Sequence, residues 1–395
     1  MRYKYLIVGG GMTADAAIQG VRQVDPSGSI ALVGSETHPP YDRPPLTKAL
    51  WKGTPLDSVW RKANRDGADV KLGRTITGLD LRQKRAVDDQ GTVYEWEKLL
   101  LATGGTPRRL DGDGAGDRVL YYRTLDDYMR LRALTERGER FAVIGAGFIG
   151  SEIAAALAMN NKRVTMVFPG EAIGGRVYPR DLSQFLTGYY REKGVDVVPG
   201  QRVAAIEPAG DQVRVRTQGG RDLVVDGVVA GIGIAPNVEL AQAAGLETKD
   251  GVVVDEMLRA GHPDVHAAGD VARFHNPALG RRIRVEHEDN ANVMGKAAGR
   301  NMAGEMKPYD HLPFFYSDLF ELGYEAVGDL DPRLELVADW KKPNREGVVY
   351  YVGDGRVRGV LLWNTWGQVD AARRLIAERG PFRPADLQGR LPEAK

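Results

Sequence analysis

An α/β fold with two parallel-sheet units and a C-terminal α+β domain is predicted by three observations. Residues 6–16 (LIVGGGMTADA) and 141–152 (FAVIGAGFIGSE) each run from a short apolar stretch through a glycine turn into an alanine-rich helical pattern. Beyond about residue 308 the texture changes to aromatic, strand-like segments. A strand that enters a helix through glycines leaves backbone amides open at the helix N-terminus, where a pyrophosphate can lie. Two such turns in one chain predict two Rossmann-like dinucleotide sites.

In order along the chain, residues 3–8 read as a buried strand, 9–11 as the turn, 13–24 as a helix and 29–33 as the next strand. The turn fits a GxGxxA form, with Gly9 and Gly11 admitting phosphate and Ala14 allowing close helix packing. Glu36 follows the second strand, where a carboxylate can accept from ribose hydroxyls. Residues 39–50 (PPYDRPPLTKAL) carry four prolines and predict a rigid lead into a short helix bearing Lys48. By itself this segment either presents Arg43 and Lys48 to a fixed target or is a structural loop with two solvated cations.

Residues 96–102 form another apolar run ending at Thr103 and Gly104. A polar stretch, 118–140, reads as a link between domains with a helix over 125–136. The second unit follows: a strand from residue 141, the full GxGxxG of Gly145, Gly147 and Gly150, a helix over 149–159 and a strand over 163–168. After that strand the chain offers Glu171, suited to the ribose of NADH, and Arg176, suited to the phosphate of NADPH; Glu171 is preferred.

Residues 195–228 alternate like a small antiparallel sheet, closed by VAGIGIAPN (229–237), which contains Gly233. Residues 265–270 read as a strand ending in Gly269-Asp270 before another helix, where Asp270 could be an N-cap. Residues 285–302 read as a helix entered through acidic residues. A hairpin is expected over 348–363, a helix over 369–378 and a poorly ordered tail over 381–395. The six histidines show no metal-site spacing.

Composition narrows the chemistry. The 395 residues contain 54 Lys plus Arg against 53 Asp plus Glu, so net charge favours neither nucleic acid nor an anionic membrane. There is no cysteine, which removes disulfide, thiolate-metal and iron-sulfur chemistry. No apolar run reaches about 18 residues and the first strand starts almost at Met1, so a soluble cytoplasmic protein is expected.

These residues together resemble the FAD- and NAD(P)H-binding flavoproteins of the glutathione-reductase fold, within them the branch of ferredoxin reductases and apoptosis-inducing factor. PYDRPPLTK (40–48) is similar to that branch's PYxRPPLSK, LATGGTPRRL (101–110) to its ATG motif, and HAAGDVA (266–272) to the Gly-Asp motif that grips the FAD ribityl chain. VEHEDNA (285–291) and FFYSDLFELGYEAVGDLD (314–331) lean toward the apoptosis-inducing-factor side. Glu288 stands where the family has an aromatic residue or histidine, and Tyr316 where it has Trp; both departures count against a long-lived charge-transfer complex.

The resemblance implies an FAD domain over 1–112 and 238–308, an NAD(P)H domain over 113–237 and a C-terminal domain over 309–395. To FAD it assigns Gly9, Gly11, Ala14, Glu36, Arg43, Lys48, Ala102, Thr103, Gly104, Gly269, Asp270, Glu286, His287, Glu288 and Tyr316. To NAD it assigns Gly145, Gly147, Phe148, Ile149, Gly150, Glu152, Glu171 and Gly233. Lys48 and Glu152 would pair near flavin N5 while hydride passes from NADH, with NADPH open, to FAD. Without a redox cysteine, electrons would leave directly for an acceptor such as a small ferredoxin, docked on a face for which Arg108, Arg109, Arg281, Arg282 and Arg284 are candidates. The alternative is a redox-responsive interaction protein in the manner of apoptosis-inducing factor; a quinone or dye reductase is a third reading. The chain is expected to be a monomer or homodimer.

Overall fold

Strand Arg2–Val8 buries its last four residues completely or nearly so, as a central parallel strand covered on both faces must. It lies between Ile30–Gly34 and Val93–Leu101, parallel to both, with Tyr5 opposite Ile30 on one side and Lys98 on the other. The computed structural model describes residues 1–61, 67–111, 114 and 116–391. These group into two compact units, one of Met1–Asp42, Asp57–Thr106 and Ala235–Phe314, the other of Arg43–Leu56, Pro107–Ile234 and Phe315–Lys395.

In the first unit the parallel order is Asp69–Leu72, Ile30–Gly34, Arg2–Val8, Val93–Leu101, Val265–Ala267. The chain steps one way from Arg2–Val8 to Ile30–Gly34 and then returns to the other side as Val93–Leu101. That reversal opens a crevice at the carboxyl ends of the strands. Helices Met12–Val24 and Glu288–Met302 cross closely because glycines remove side chains at the contact. A Cβ on Gly299 would stand 2.1 Å from the Ala17 carbonyl oxygen, and one on Gly20 2.1 Å from that of Lys296.

The second unit holds an all-parallel sheet in the order Asp196–Val198, Arg163–Val167, Arg140–Ile144, Gly227–Ala230, Val119–Leu120. It also contains the antiparallel C-terminal sheet, Phe314–Leu319, Leu322–Gly328, Arg356–Trp363, Glu346–Gly353, Glu335–Lys342, on which helix Val369–Ala377 buries Ala372, Leu375 and Ile376. Among the described residues no helix is long and apolar enough to cross a membrane.

Several local expectations are corrected. Only Val203–Ala209, Gln212–Thr217 and Asp222–Val225 form the small antiparallel sheet. The ends of that stretch join the parallel sheet, where Gly227–Ala230 is buried throughout. Gly269–Val271 is a 3₁₀ turn followed by strand Ala272–Asn276, which finds an antiparallel partner in Arg281–Ile283, not a helix. The helix expected from residue 285 starts at Glu288 with His287 as its N-cap, and Glu286, outside it, pairs with Arg284 Nη1 at 2.6 Å. Lys48 sits between two 3₁₀ turns, Pro44–Thr47 and Ala49–Lys52. The tail is ordered through residue 391: helix Pro384–Leu387 buries Leu387, Leu391 is buried, and the Gly389 amide donates to Asp339 Oδ2 at 2.7 Å. Residues 392–395 lie outside the described residues.

Gly299→Ala is expected to cost about 3 kcal/mol in thermal unfolding, since backbone oxygen cannot yield as a side-chain tip can. Gly188→Ala, in helix Arg180–Glu192 with open space at its Cβ, is expected to be neutral or to stabilise by about 0.5–1 kcal/mol. Equal losses would remove the packing explanation. His266, buried in strand Val265–Ala267, is pushed down to about 4 by burial and the nearby Lys98 and Arg259, against the pull of Asp255 and Asp264. Burial also works against the charge of Asp264, but hydrogen bonds from Lys84 and Lys98 outweigh it and hold that carboxyl at about 2. His266 is therefore neutral in the fold and protonated in the unfolded chain below about 6.5. Its contribution is complete above that pH and is lost as pH falls toward 4, by about 3 kcal/mol. His266→Phe should flatten the stability profile between those values; an unchanged slope would count against it.

Candidate functional site

In the first unit, Gly9 has φ +126, and a Cβ there would lie 2.1 Å from the Ala102 carbonyl oxygen. The turn thus rests on the end of the neighbouring strand, and only glycine permits it. Gly11 is the N-cap of helix Met12–Val24, has extended backbone and provides no side-chain cap. Ala14 is fully buried, its amide donating to the Gly11 carbonyl at 3.1 Å. The helix start therefore offers its amides to whatever occupies the crevice.

Other sequence-predicted residues converge on this turn. Gly269, at φ +77, comes so close to Thr13 that a Cβ would be 2.2 Å from its Oγ1. Arg284 Nη1 donates to the Asp270 carbonyl at 3.2 Å, and to Glu286. His287 is the N-cap of Glu288–Met302 and Glu288 its first residue. Thr103 Oγ1 donates to the Asn237 carbonyl at 2.8 Å, beside Gly104 at φ +66. Glu36 follows Ile30–Gly34 and accepts from Tyr41 Oη at 2.5 Å. Arg43, Lys48 and Tyr316 belong to the second unit. Sequence reading missed Arg61, whose guanidinium donates to Asp15 (2.7 Å), Asp42 (2.5 Å) and Asn292 (2.8 Å). No spacing rule connects positions so far apart in the chain.

The second unit repeats the turn with three glycines. A Cβ on Gly145 (φ +104) would lie 2.3 Å from the Gly231 carbonyl oxygen, and one on Gly150 2.1 Å from that of Gly145. Gly147, the N-cap of helix Phe148–Met159, has nothing within 4 Å of its Cβ position and no side-chain cap. The first and third glycines are thus demanded by packing, and the middle one faces open space. Phe148 packs edge-on to Phe315 at 5.2 Å, Ile149 is partly exposed, and Gly233 adopts φ +98. Glu171 is open to solvent, 4.0 Å from Arg180 Nη2.

One turn along the same helix, Glu152 is buried at 4% exposure. Its Oε2 accepts from Lys48 Nζ at 2.7 Å and from Thr47 Oγ1 at 2.5 Å, and its Oε1 from Ser317 Oγ at 2.6 Å. Lys48 Nζ also lies over the Tyr316 ring, 5.2 Å from its centroid. Around the carboxylate, burial foremost and then its negative charge push the Tyr178 hydroxyl up, and Tyr190 and Tyr324 rise well above the usual phenol range for the same leading reason. Sequence reading missed Thr47 and Ser317. Of the arginines offered as candidates for a docking face, Arg284 is largely buried and paired with Asp250 and Glu286, Arg282 donates to the Val254 carbonyl, and Arg109 stacks on Tyr121.

The family described as pyridine nucleotide-disulphide oxidoreductase matches residues 3–295, and that described as apoptosis-inducing factor, mitochondrion-associated, C-term, matches 298–346. Apoptosis-inducing factor 1, mitochondrial, of Dictyostelium discoideum is 32% identical over 420 residues, covering 96% of this chain and 79% of that protein. The anthranilate 1,2-dioxygenase system ferredoxin–NAD(+) reductase component of Burkholderia cepacia is 34% identical, covering 97% and 96%. The crystal structure of the covalent putidaredoxin reductase–putidaredoxin complex matches at TM-score 0.91 and 31% identity, covering 97% of this chain and 95% of that one. Two uncapped helix starts behind glycine turns, one with an open cradle at Gly147, fit two dinucleotides. The chain belongs to the pyridine nucleotide-disulphide oxidoreductase family, as a cysteine-free, FAD-dependent NAD(P)H oxidoreductase.

Proposed function

We propose that this protein oxidises NADH and delivers the electrons singly to a small ferredoxin. The observation that carries the reading is the nearly end-to-end similarity to a ferredoxin–NAD(+) reductase component in a chain without any cysteine. A redox thiol cannot relay the electrons, so the acceptor must take them directly. Domain roles are proposed as 1–112 and 238–308 for FAD, 113–237 for the nicotinamide nucleotide and 309–395 for the C-terminal domain.

FAD, when bound, supplies hydride acceptance and the change from two-electron to one-electron transfer. In this reading Gly9, Gly11 and Ala14 admit its pyrophosphate, Glu36 accepts from its ribose, Asp270 holds the ribityl chain, and Ala102, Thr103 and Gly104 shape the crevice with Gly269. Glu286, His287, Glu288, Arg43 and Tyr316 border the flavin. Gly145, Gly147 and Gly150, with Phe148, Ile149 and Gly233, receive the nicotinamide nucleotide, and Glu171 accepts from its adenosine ribose. Lys48 places a cation against negative charge that develops on the reacting rings, and Glu152 keeps that cation in place. Glu171 would repel a 2′-phosphate, which favours NADH.

The test is anaerobic stopped-flow reduction by NADH and by NADPH, followed by air with and without a small ferredoxin. Fast reduction by NADH and ferredoxin-dependent reoxidation are expected; failure of flavin to copurify or rebind would overturn the reading. Glu171→Gln should reduce the preference for NADH about tenfold. Lys48→Ala should slow flavin reduction about 100-fold with little change in NADH affinity. An unchanged rate and flavin potential would remove Lys48 from the mechanism. A second reading is favoured by the match of residues 298–346 to the apoptosis-inducing-factor C-terminal family: a redox-responsive interaction protein. Slow reduction followed by an air-stable reduced state would select it.

A further inference from the structure

The Lys48–Glu152 pair is built with more hydrogen bonds than an ion pair needs. Two neutral hydroxyls converge on the carboxylate from different parts of the second unit. Thr47 comes from the 3₁₀ turn Pro44–Thr47, and Ser317 from strand Phe314–Leu319. We infer that Thr47 and Ser317 are positioning residues for flavin reduction: they hold the Glu152 carboxylate in one orientation, and through it fix the Lys48 ammonium. This rests on the role proposed above for Lys48.

The geometry supplies the reason. A buried carboxylate held by one ammonium could rotate about its terminal bond, or accept a proton and leave both partners neutral. Here both oxygens are pinned, Oε2 by Thr47 at 2.5 Å and Lys48 at 2.7 Å, and Oε1 by Ser317 at 2.6 Å. A hydroxyl that donates to a carboxylate favours its charged form. Thr47 and Lys48 are adjacent in sequence and meet the same oxygen, with Lys48 Nζ 3.5 Å from Thr47 Oγ1. Among the described residues the charged group paired with Glu152 is Lys48; the phenols of Tyr178, Tyr190 and Tyr324 also feel its charge and stay neutral, and the Tyr316 ring faces Lys48 from the same strand as Ser317. Loss of either hydroxyl therefore removes one of the three bonds that fix the plane of the Glu152 carboxylate.

The hydroxyls could instead merely tether the turn and the strand to helix Phe148–Met159, and the experiment separates the two. Thr47→Val, Thr47→Ser and Ser317→Ala are prepared in the FAD-loaded enzyme. The rate of anaerobic flavin reduction by NADH, the midpoint potential of the flavin and the infrared carboxylate band of Glu152 are then followed, alongside thermal stability. Thr47→Val and Ser317→Ala are each expected to slow flavin reduction about tenfold, the loss of one hydrogen bond to a charged group. The infrared carboxylate band should shift, the flavin potential should fall, and Thr47→Ser should keep all three at their parent values. Lower thermal stability with the rate, the infrared band and the potential unchanged would overturn the inference. If Lys48→Ala leaves rate and potential unchanged, the underlying reading fails and this inference with it. If Lys48→Ala lowers both while the hydroxyl variants change neither, only the inference fails.

Discussion

Backbone in contact with backbone is the constraint on which the glycine turn of each unit depends. Gly9 against Ala102 and Gly145 against Gly231 approach at distances that no side chain could occupy, and Gly150 does the same against its own turn. A helix start brought flush to a sheet edge in this way has no side chain between its amides and the crevice. The same absence of a cap that would weaken an ordinary helix leaves these amides open to a phosphate. The close crossing of Met12–Val24 and Glu288–Met302 through Gly20, Gly295 and Gly299 extends the constraint to the next helix.

Around Glu152 the constraint is electrostatic. Taking a carboxylate and an ammonium out of water costs several kcal/mol per ion, which their attraction offsets only with good geometry and further hydrogen bonds. Thr47 and Ser317 supply those bonds. A well-packed apolar pair would often hold the same segments together as firmly, so the ion pair by itself is weak evidence for stability. The cation then lies beside the Tyr316 ring with its counter-charge fixed on one side.

Much of the architecture was legible because it is local. Glycine turns between an apolar strand and an alanine-rich helix announce themselves within a dozen residues, and so does the hairpin around Asp354. Misread stretches were those whose partner is distant. Asp196–Val198 and Gly227–Ala230 look like part of the antiparallel run between them, and only pairing with Arg163–Val167 and Arg140–Ile144 moves them to the parallel sheet. The C-terminal tail has a polar, proline-containing sequence, yet burial of Leu387 and Leu391 orders it.

The sequence by itself determined the two dinucleotide turns, the absence of thiol chemistry and the segment carrying Lys48, because each is written in consecutive residues or in composition. Tertiary structure decided the rest. Thr47, Lys48, Glu152 and Ser317 are drawn from positions more than 250 residues apart at their extremes, and Arg61 gathers Asp15, Asp42 and Asn292 from an even wider span. Hydrogen bonds at 2.5–2.8 Å require atoms to be placed in space, and no periodicity along the chain encodes that placement.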